Sequence, residues 1–357
     1  MKFCVLQARL GDDRAKWKWA WDRLPSKRRD VYFLPEYLLA SEAEGLGTGY
    51  CALAIENEAV WLYPFLKCPI HPIDKTIEEV DLYDLQSAYG YGGPVVNRDG
   101  EDEIFLREAW RRLNVWCKEK HVVGEFCRFH PLLGNHHWAP PEMRVMEDRK
   151  TVFMDLKTYP EKIWNDSFFR VQRNMIRRAE REGYEYHTLP SSKQMSWFAP
   201  MYARTQDVIQ AGTETRFGEA YFDSLVQGLG EKSWLGIVKK GTDIAAAVLV
   251  LEGAQFAYSH LMAYGSERAT AGMTNFLYHG VALEAADHGL SALFMGGGKT
   301  KDDKDPLFYF KKSLGQGRQM FYIGTRCYNS ELYDLLGTQW EKQHGPRPAG
   351  YFLFYRL

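Results

Sequence analysis

The first half of the chain alternates between hydrophobic runs with strand spacing and runs with helix spacing. Two apolar runs, Tyr50 to Ile55 and Ala59 to Leu66, flank the polar segment Glu56 to Glu58, which predicts an antiparallel hairpin. Between Phe105 and Lys120, apolar residues recur every three or four positions, which predicts an amphipathic helix. A compact apolar run from Val122 to Phe129 then predicts a further strand.

The second half repeats this succession. Asp243 to Glu252 and Gln255 to Ala263 predict another hairpin, and Asn275 to His288 predicts a long helix. Ala292 to Met295 has the length and composition of a buried strand, and three glycines, Gly296 to Gly298, follow it. Because both halves run from a hairpin through a helix to a strand, the sequence predicts a duplicated α/β domain.

Length and composition indicate two globular domains. The 357 residues exceed what one hydrophobic core usually organises. The polar segment Val145 to Lys150 predicts the boundary, so we expect domains over residues 1–148 and 149–357, and the last residues can pack back on the first domain. A hydrophobic content of 45% with 25% charged residues is typical of a soluble protein.

Charge, cysteines and histidines narrow the functional classes. The net charge of −1 provides no bulk attraction to nucleic acid, so anion binding requires local patches. No apolar run approaches the ~20 residues of a membrane span and no signal core follows Met1, which predicts a cytoplasmic protein. The six cysteines contain no C-x-x-C pair, which indicates buried thiols. His130, His136 and His137 lack partners at a ligand spacing, so we expect loop histidines and no metal site.

The segment from Thr158 to Gly183 predicts a helix with two faces. Thr158 and Glu161 form a capping box, and Gly183 marks the helix end. One face is apolar and consists of Trp164, Phe168, Val171, Met175 and Ala179. The other carries four arginines at helical spacing, Arg170, Arg173, Arg177 and Arg181. Arginine at all four positions favours phosphate or carboxylate binding, and the alternative is a solvated face.

The stretch from Gly289 to Gly315 carries the strongest candidate chemistry. After the three glycines and a charged loop, the apolar run Leu307 to Phe310 delivers Lys311, which we interpret as a strand with Lys312 pointing the opposite way. A lysine beside a glycine-lined cleft is placed to meet developing negative charge, and the alternative is a solvated lysine at a strand end. Gly298-Lys299-Thr300 is not the end of a P-loop, because Leu293 occupies the position of its first glycine.

Four landmarks in this order resemble the FemAB-like branch of the GNAT acyltransferase superfamily. They are Tyr91 to Val95, the helix Arg173 to Ala179 with Gly183, the glycines Gly296 to Gly298, and Tyr309-Phe310-Lys311 with Gly315. The resemblance implies two tandem GNAT-like domains with a cleft between them, built from mixed, mostly antiparallel sheets flanked by helices. It also implies transfer of an acyl or aminoacyl group to an amine without a metal.

The resemblance assigns roles to particular residues. Lys311 matches the lysine that lies where the carbonyl oxygen becomes an oxyanion. The residues expected to bind substrate are Tyr91, Gly92, Gly93, Arg173, Arg177, Gly297, Gly298, Tyr309 and Phe310. Gly272 and Thr274, at the start of the helix before the glycines, are expected to bind the donor. The loop from Arg268 departs from the pattern of CoA-binding enzymes, because Met273 stands where a small residue is expected, and this disfavours a CoA donor.

These residues predict an enzyme that forms an amide by direct aminolysis. The predicted acceptor is an amine on a small or peptide-like, phosphate-bearing molecule, and the donor is aminoacyl-tRNA or an acyl-CoA, with no bound cofactor. Two alternatives remain open. One is an acetyl-CoA-dependent N-acetyltransferase that acts on an amino sugar in surface polysaccharide synthesis, and the other is a non-catalytic GNAT-like binding protein.

Overall fold

A computed structural model describes residues 1–71, 81–158, 164–165, 168–265 and 272–357. The chain divides into two compact units. The first unit comprises Met1–Arg28, Tyr32–Glu147 and Tyr322–Leu357, and the second comprises Arg29–Val31 and Asp148–Phe321. This division falls next to the predicted boundary at residues 148 and 149, and the C-terminal segment belongs to the first unit.

Helices and strands alternate along the described chain. The helices are α1 (Gly11–Trp21), α2 (Pro35–Ala43), α3 (Glu103–Glu119), α4 (Arg170–Arg181), α5 (Met195–Val208), α6 (Glu219–Leu229), α7 (Met273–Asp287), α8 (Pro306–Leu314) and α9 (Ser330–His344). The strands are β1 (Lys2–Gln7), β2 (Thr48–Glu56), β3 (Ala59–Ile70), β4 (Leu82–Gln86), β5 (Val95–Val96), β6 (Val122–Arg128), β7 (Arg144–Asp155), β8 (Glu185–Pro190), β9 (Ser233–Lys240), β10 (Asp243–Glu252), β11 (Phe256–Tyr264), β12 (Ala292–Gly297) and β13 (Gly317–Cys327). The two predicted hairpins are confirmed as β2–β3 and β10–β11.

Each unit contains one mixed sheet. In the first unit the strand order is β1-β2-β3-β4-β6-β13, with β5 beside β3, and in the second it is β7-β12-β11-β10-β9-β8. The described pairings within each unit are antiparallel except for β4 with β6 and β11 with β12, which are parallel. A helix, α3 or α7, connects each parallel pair, as expected for a crossover connection. The predicted mixed, mostly antiparallel α/β architecture is confirmed.

Each unit has its own hydrophobic core. In the first, α3 turns Phe105, Ala109 and Leu113 onto the sheet, which confirms the amphipathic helix predicted there. In the second, α7 is apolar nearly all round and is buried between α4 and the sheet, with Leu277 and Val281 completely covered. Four cysteines are buried as expected, whereas Cys4 and Cys327 are exposed.

The apolar face predicted for the arginine-rich helix is partly wrong. The helix α4 begins at Arg170, so Trp164 and Phe168 precede it, and the predicted capping box at Thr158 to Glu161 extends outside the described residues. Within α4 the buried residues are Ile176 and Ala179, while Val171 is 60% exposed. Because each residue turns the helix by about 100°, Val171 lies away from Ile176 and Ala179. The predicted helix end is right, since Gly183 follows with a φ of +83°.

Two classes of feature are missing from the described part of the chain. None of its helices combines the length and the apolar character that crossing a membrane requires. Within the same residues, histidine, cysteine, aspartate and glutamate side chains nowhere gather in a group of three that could hold a metal ion.

Candidate functional site

Lys311 lies on a helix, and the predicted strand is wrong. The helix α8 starts at Pro306, where proline needs no backbone N–H partner, and the Asp305 carboxylate caps it by accepting from the N–H groups of Leu307 and Phe308. A run of four apolar residues does not by itself distinguish strand from helix, and the cap decides. Lys312 is therefore not opposite Lys311 but about 100° around the helix, where it is exposed.

The ammonium group of Lys311 is held at the end of β12. Its Nζ donates a hydrogen bond of 2.9 Å to the carbonyl oxygen of Gly297, and the side chain is half-buried. Burial lowers the pKa of Lys311 to about 8, and the nearby charge of Asp305 opposes that shift. The group is therefore mostly protonated at neutral pH, and an ammonium has two further N–H donors beyond the one given to Gly297.

The glycines at the end of β12 allow close contacts between backbone segments. Gly296 has a φ of +75°, and a Cβ on Gly297 would lie 3.0 Å from the carbonyl oxygen of Lys150. The Arg149 guanidinium on β7 donates to the carbonyl oxygens of Gly298 and Lys299, both at 3.0 Å. The close approach expected of Gly297 and Gly298 is therefore made by protein groups, and their predicted contact with substrate stays a prediction.

The parallel pair β11–β12 separates beside this lysine. Only Phe256 to Tyr258 of β11 pair with β12, whereas β11 continues to Tyr264. A register shift opposite Leu249 and Val250 leaves His260 out of the pairing with β10. The second half of β11 therefore does not pair with β12, and one of its backbone groups, the N–H of Tyr264, donates instead to the Thr205 hydroxyl at 2.9 Å.

The separated part of β11 carries three polar side chains, of which His260 is buried and Ser259 and Tyr264 are half-buried. The Tyr278 hydroxyl on α7 lies 3.2 Å from the hydroxyl of Ser259, and Tyr264 lies 3.4 Å from Thr274. His260 Nε2 is 3.0 Å from the Tyr221 hydroxyl, and burial lowers the pKa of His260 to about 3. His260 is therefore neutral at physiological pH, and sequence patterns gave no signal for it.

The N-terminus of α7 lies within the same unit. Gly272 precedes it with a φ of +105°, and a Cβ there would collide with the carbonyl oxygen of Met175. No described side chain caps this helix and its first turn contains no acidic residue. Thr274 is half-buried in that first turn.

The expectation that Met273 obstructs this helix end is wrong. Met273 is 1% exposed and belongs to the hydrophobic core of the second unit, since its position on α7 faces the sheet. Its side chain is therefore turned into the core and does not project over the start of the helix. The preceding segment from Arg268 to Ala271, part of the predicted donor loop, lies outside the described residues.

The four arginines of α4 share one face but not one environment. Arg173 donates to the carbonyl oxygens of Trp164 and Asn165 at 2.8 and 2.7 Å, so its guanidinium is occupied by the backbone. Arg177 is exposed, and its guanidinium lies 5.5 Å from the centre of the Trp164 ring. Arg170 and Arg181 are also exposed.

The remaining predicted residues fall into two groups. Phe310 packs on the core of the second unit with its ring 6.3 Å from that of Tyr278, whereas Tyr309 is 62% exposed. Tyr91, Gly92 and Gly93 belong to the first unit, whereas Lys311 belongs to the second.

Described side chains fill the surroundings of Tyr91 to Gly93. The Tyr91 ring contacts Tyr32 and His130 edge-on, and a Cβ on Gly93, whose φ is +88°, would lie 2.8 Å from Asn135 Nδ2. These glycines have evident packing roles, and a substrate role for them stays a prediction.

Part of the chain that includes Lys311 matches a known protein family. Residues 167–311 match the family model described as an acetyltransferase (GNAT) domain. The match begins just before α4 and ends at Lys311 within α8, and it agrees with the predicted class, an acyltransferase of GNAT type. No curated protein sequence matches the chain.

Solved structures share the fold at low sequence identity. FemX is 14% identical with a TM-score of 0.67, over 94% of this chain and 99% of that one. The C-terminal domain of a protein from Agrobacterium fabrum, assigned as a lysylphosphatidylglycerol synthetase, is 13% identical with a TM-score of 0.57, over 94% and 100%. A tandem GNAT protein from the clavulanic acid biosynthesis pathway is 8% identical with a TM-score of 0.51, over 92% and 98%. The predicted fold with two GNAT-like domains is confirmed.

Proposed function

We propose that this protein transfers an acyl or aminoacyl group from an activated ester or thioester to an amine, and that Lys311 stabilises the oxyanion. The observation that carries the proposal is the Lys311 ammonium at the Gly297 carbonyl, where the parallel strands β11 and β12 have separated. Strand separation leaves backbone groups of β11 unpaired with β12, which an extended donor substrate could use, and the ammonium supplies positive charge at the end of β12.

The reaction requires no covalent enzyme intermediate. The acceptor nitrogen attacks the donor carbonyl carbon, and the carbonyl oxygen gains negative charge in the tetrahedral intermediate. The N–H groups of Lys311 not used by Gly297 donate to that oxygen. The bond to the leaving oxygen or sulfur then breaks, and the proton from the acceptor nitrogen leaves with the departing group or with water. Positioning and one charged donor suffice for an activated ester.

A phosphate-bearing acceptor is supported by the exposed cations. Arg170, Arg177 and Arg181 have no carboxylate partner within the described residues and share one face of α4. Arg173 is a weaker candidate than the sequence indicated, because two backbone carbonyls occupy its guanidinium. We therefore assign acceptor binding to Arg177 and its exposed neighbours on α4.

The donor is aminoacyl-tRNA or an acyl-CoA. The sequence pattern disfavoured an acyl-CoA, but one structural observation supports it. Because Met273 is turned into the core, its side chain does not block the N-terminus of α7, where the first-turn N–H groups and the positive end of the helix dipole suit a pyrophosphate. Acetyl-CoA-dependent N-acetylation is therefore the second candidate function. We expect transfer from at least one of the two donors.

A donor panel tests the proposal. The purified chain is incubated with acetyl-CoA or with charged tRNA, together with amines that carry or lack a phosphate, and the amide product is detected by mass spectrometry. Transfer in the presence of wild-type protein, lost with Lys311→Ala but retained with Lys312→Ala, is the expected result. A ligand that raises the melting temperature without any product from any donor would instead indicate a non-catalytic binding protein.

A further inference from the structure

We propose that Asp305 is the positioning residue for Lys311, because its carboxylate fastens the loop between β12 and α8 and caps the helix that carries the ammonium. The inference deepens the proposed function and rests on it for its catalytic consequence. The positioning itself can be measured without any substrate.

The carboxylate of Asp305 holds both ends of the loop. Its Oδ1 accepts from the N–H groups of Leu307 at 2.9 Å and Phe308 at 3.0 Å. Its Oδ2 accepts from the N–H of Thr300 at 2.9 Å and from the Thr300 hydroxyl at 3.2 Å. One side chain therefore closes the loop after β12 and begins the helix that carries Lys311.

Gly298 is shaped to accept this carboxylate. A Cβ on Gly298 would lie 2.5 Å from Asp305 Oδ1 and 2.9 Å from the Cβ of Phe308. On its other side, the Gly298 carbonyl accepts from Arg149. The backbone that follows Gly297, the hydrogen-bond acceptor of Lys311, is thus held between Asp305 and Arg149.

The far end of α8 is fixed as well. Arg318 donates from Nη1 to the carbonyl oxygens of Gly315 and Gly317, both at 2.7 Å, and from Nη2 to that of Lys312 at 3.1 Å. Asp305 therefore ties the start of α8 to the loop after β12, and Arg318 ties its end to the backbone that leads into β13. Lys311 therefore reaches Gly297 from a fixed helix.

Asp305 is ionised at neutral pH. Burial acts to raise its pKa, but the hydrogen bonds from Phe308, Thr300 and Leu307 outweigh burial, so the pKa of this carboxyl lies below its ordinary value. Its charge opposes the effect of burial on Lys311. The carboxylate therefore favours the protonated form of Lys311, the form that can stabilise an oxyanion.

Other charged or titratable groups occur on the elements around α8. Strand β12 has none, and among the others are Asp148, Arg149 and Lys150 on β7, Lys299, Lys301, Asp302, Asp303 and Lys304 in the loop, Tyr278 on α7, Tyr309 and Lys312 on α8 itself and Arg318 on β13. The acids among them have other partners. Asp148 pairs with Arg149 and Lys301, and Asp303 pairs with Lys150.

A purely structural cap makes a different prediction from a charged positioning residue. Asparagine and serine cap helices about as well as aspartate. Asp305→Asn and Asp305→Ser therefore keep the helix cap, remove the charge and give up the hydrogen bond that Oδ2 accepts from the Thr300 N–H. Asp303→Asn removes one negative charge from the same loop as the matched control.

Competitive labelling with acetic anhydride, read at the Lys311 peptide by mass spectrometry from pH 6 to 10, measures the fraction of unprotonated amine. Loss of the Asp305 charge lowers the pKa of Lys311, so we expect Lys311 in Asp305→Asn to label several-fold faster at pH 7 than in wild type. Asp303→Asn should label as wild type does. The melting temperatures of the asparagine variants should stay close to that of wild type, and Asp305→Ser serves if Asp305→Asn fails to fold.

The outcomes separate this inference from the proposed function. Faster labelling together with slower transfer supports both. Faster labelling with unchanged transfer supports the positioning role and overturns the catalytic role of Lys311. Labelling in both cap-retaining variants that matches wild type overturns the inference, because Asp305 would then be a helix cap and nothing more.

Discussion

The two parallel strand pairs, β4 with β6 and β11 with β12, have the same topology, but they differ in how far the parallel pairing extends. In the first unit, β4 pairs with β6 from Tyr83 to Gln86, and a further parallel bridge joins Gly92 to Phe129. In the second unit, the pairing of β11 with β12 stops at Tyr258, six residues before β11 ends. The chain after β4 forms a further bridge to the chain after β6, whereas β11 separates from β12 six residues before β11 ends.

The helices that connect the two parallel pairs, α3 and α7, also differ at their N-termini. The start of α3 is capped by the Asp102 carboxylate, which accepts from the N–H of Phe105 at 2.9 Å, and Glu103 adds a negative charge in the first turn. Among the described residues, no side chain caps the start of α7, and its first turn contains no acid. A self-capped helix has already satisfied the groups that an anion would use, so the comparison explains why we place the chemistry in the second unit.

The largest expected effect concerns Lys311, which has no counterpart after β6. Lys311→Ala should lower kcat by about 10²–10³, because removing one preorganised oxyanion donor has typically that cost. Steady-state kinetics should show the acceptor KM within a few-fold of wild type. Lys312→Ala, on the exposed side of the same helix, is the control, and equal losses in both variants would contradict the assignment.

An acidic residue in the first turn of α7, like the one in α3, should weaken binding of an anionic donor at the start of α7. Thr274→Asp should raise the donor KM about tenfold, a change of about 1.4 kcal/mol, because the carboxylate competes with and repels an anionic donor. Its melting temperature should stay level or rise, since an acid in the first turn stabilises a helix.

The reverse change in the first unit is the matched control. Asp102→Ala removes the cap of α3 and should lower the free energy of unfolding by about 0.5–2 kcal/mol, with unchanged transfer kinetics in the folded protein. A donor KM that responds to Asp102→Ala but not to Thr274→Asp would reverse the roles of the two helices.

A smaller effect distinguishes two arginines within α4. Arg173→Gln loses two charged hydrogen bonds to backbone carbonyls and should lower the free energy of unfolding by about 1–2 kcal/mol, with little change in KM. Arg177→Gln should leave stability within about 0.5 kcal/mol and raise the KM for a phosphate-bearing acceptor a few-fold at low salt. Chemical denaturation and kinetics at two salt concentrations measure both, and identical behaviour of the two variants would refute the distinction.

The sequence predicted the fold better than the site. Hairpins and the helix α3 were legible because their hydrophobic spacing is periodic over many residues. The helix α8 was missed because Leu307 to Phe310 is a short unbroken apolar run, although Asp305-Pro306 before it is a recognisable helix start.

Contacts distant in sequence left no local signal. Arg149 reaches the carbonyl of Gly298 across 149 residues, and nothing in the pattern around Arg149 indicates it. Met273 was misjudged for a related reason, since its direction depends on how α7 packs on the sheet. Lys311 itself was a candidate from the glycines and the apolar run before it, and a family resemblance gave it a role, while its bond to Gly297 and its lowered pKa needed the structure.

The most direct test of the central claim is the pH dependence of single-turnover transfer to hydroxylamine, an acceptor that is largely unprotonated above neutral pH. Lys311 is charged below its pKa of about 8 and neutral above it, so its oxyanion stabilisation is present at pH 7 and lost as the pH rises. The account predicts a rate that falls through pH 8 in wild type and is slow and flat in Lys311→Gln. A rate that instead rises through pH 8 and loses that rise in Lys311→Gln would show that Lys311 acts as a base, and would contradict the account.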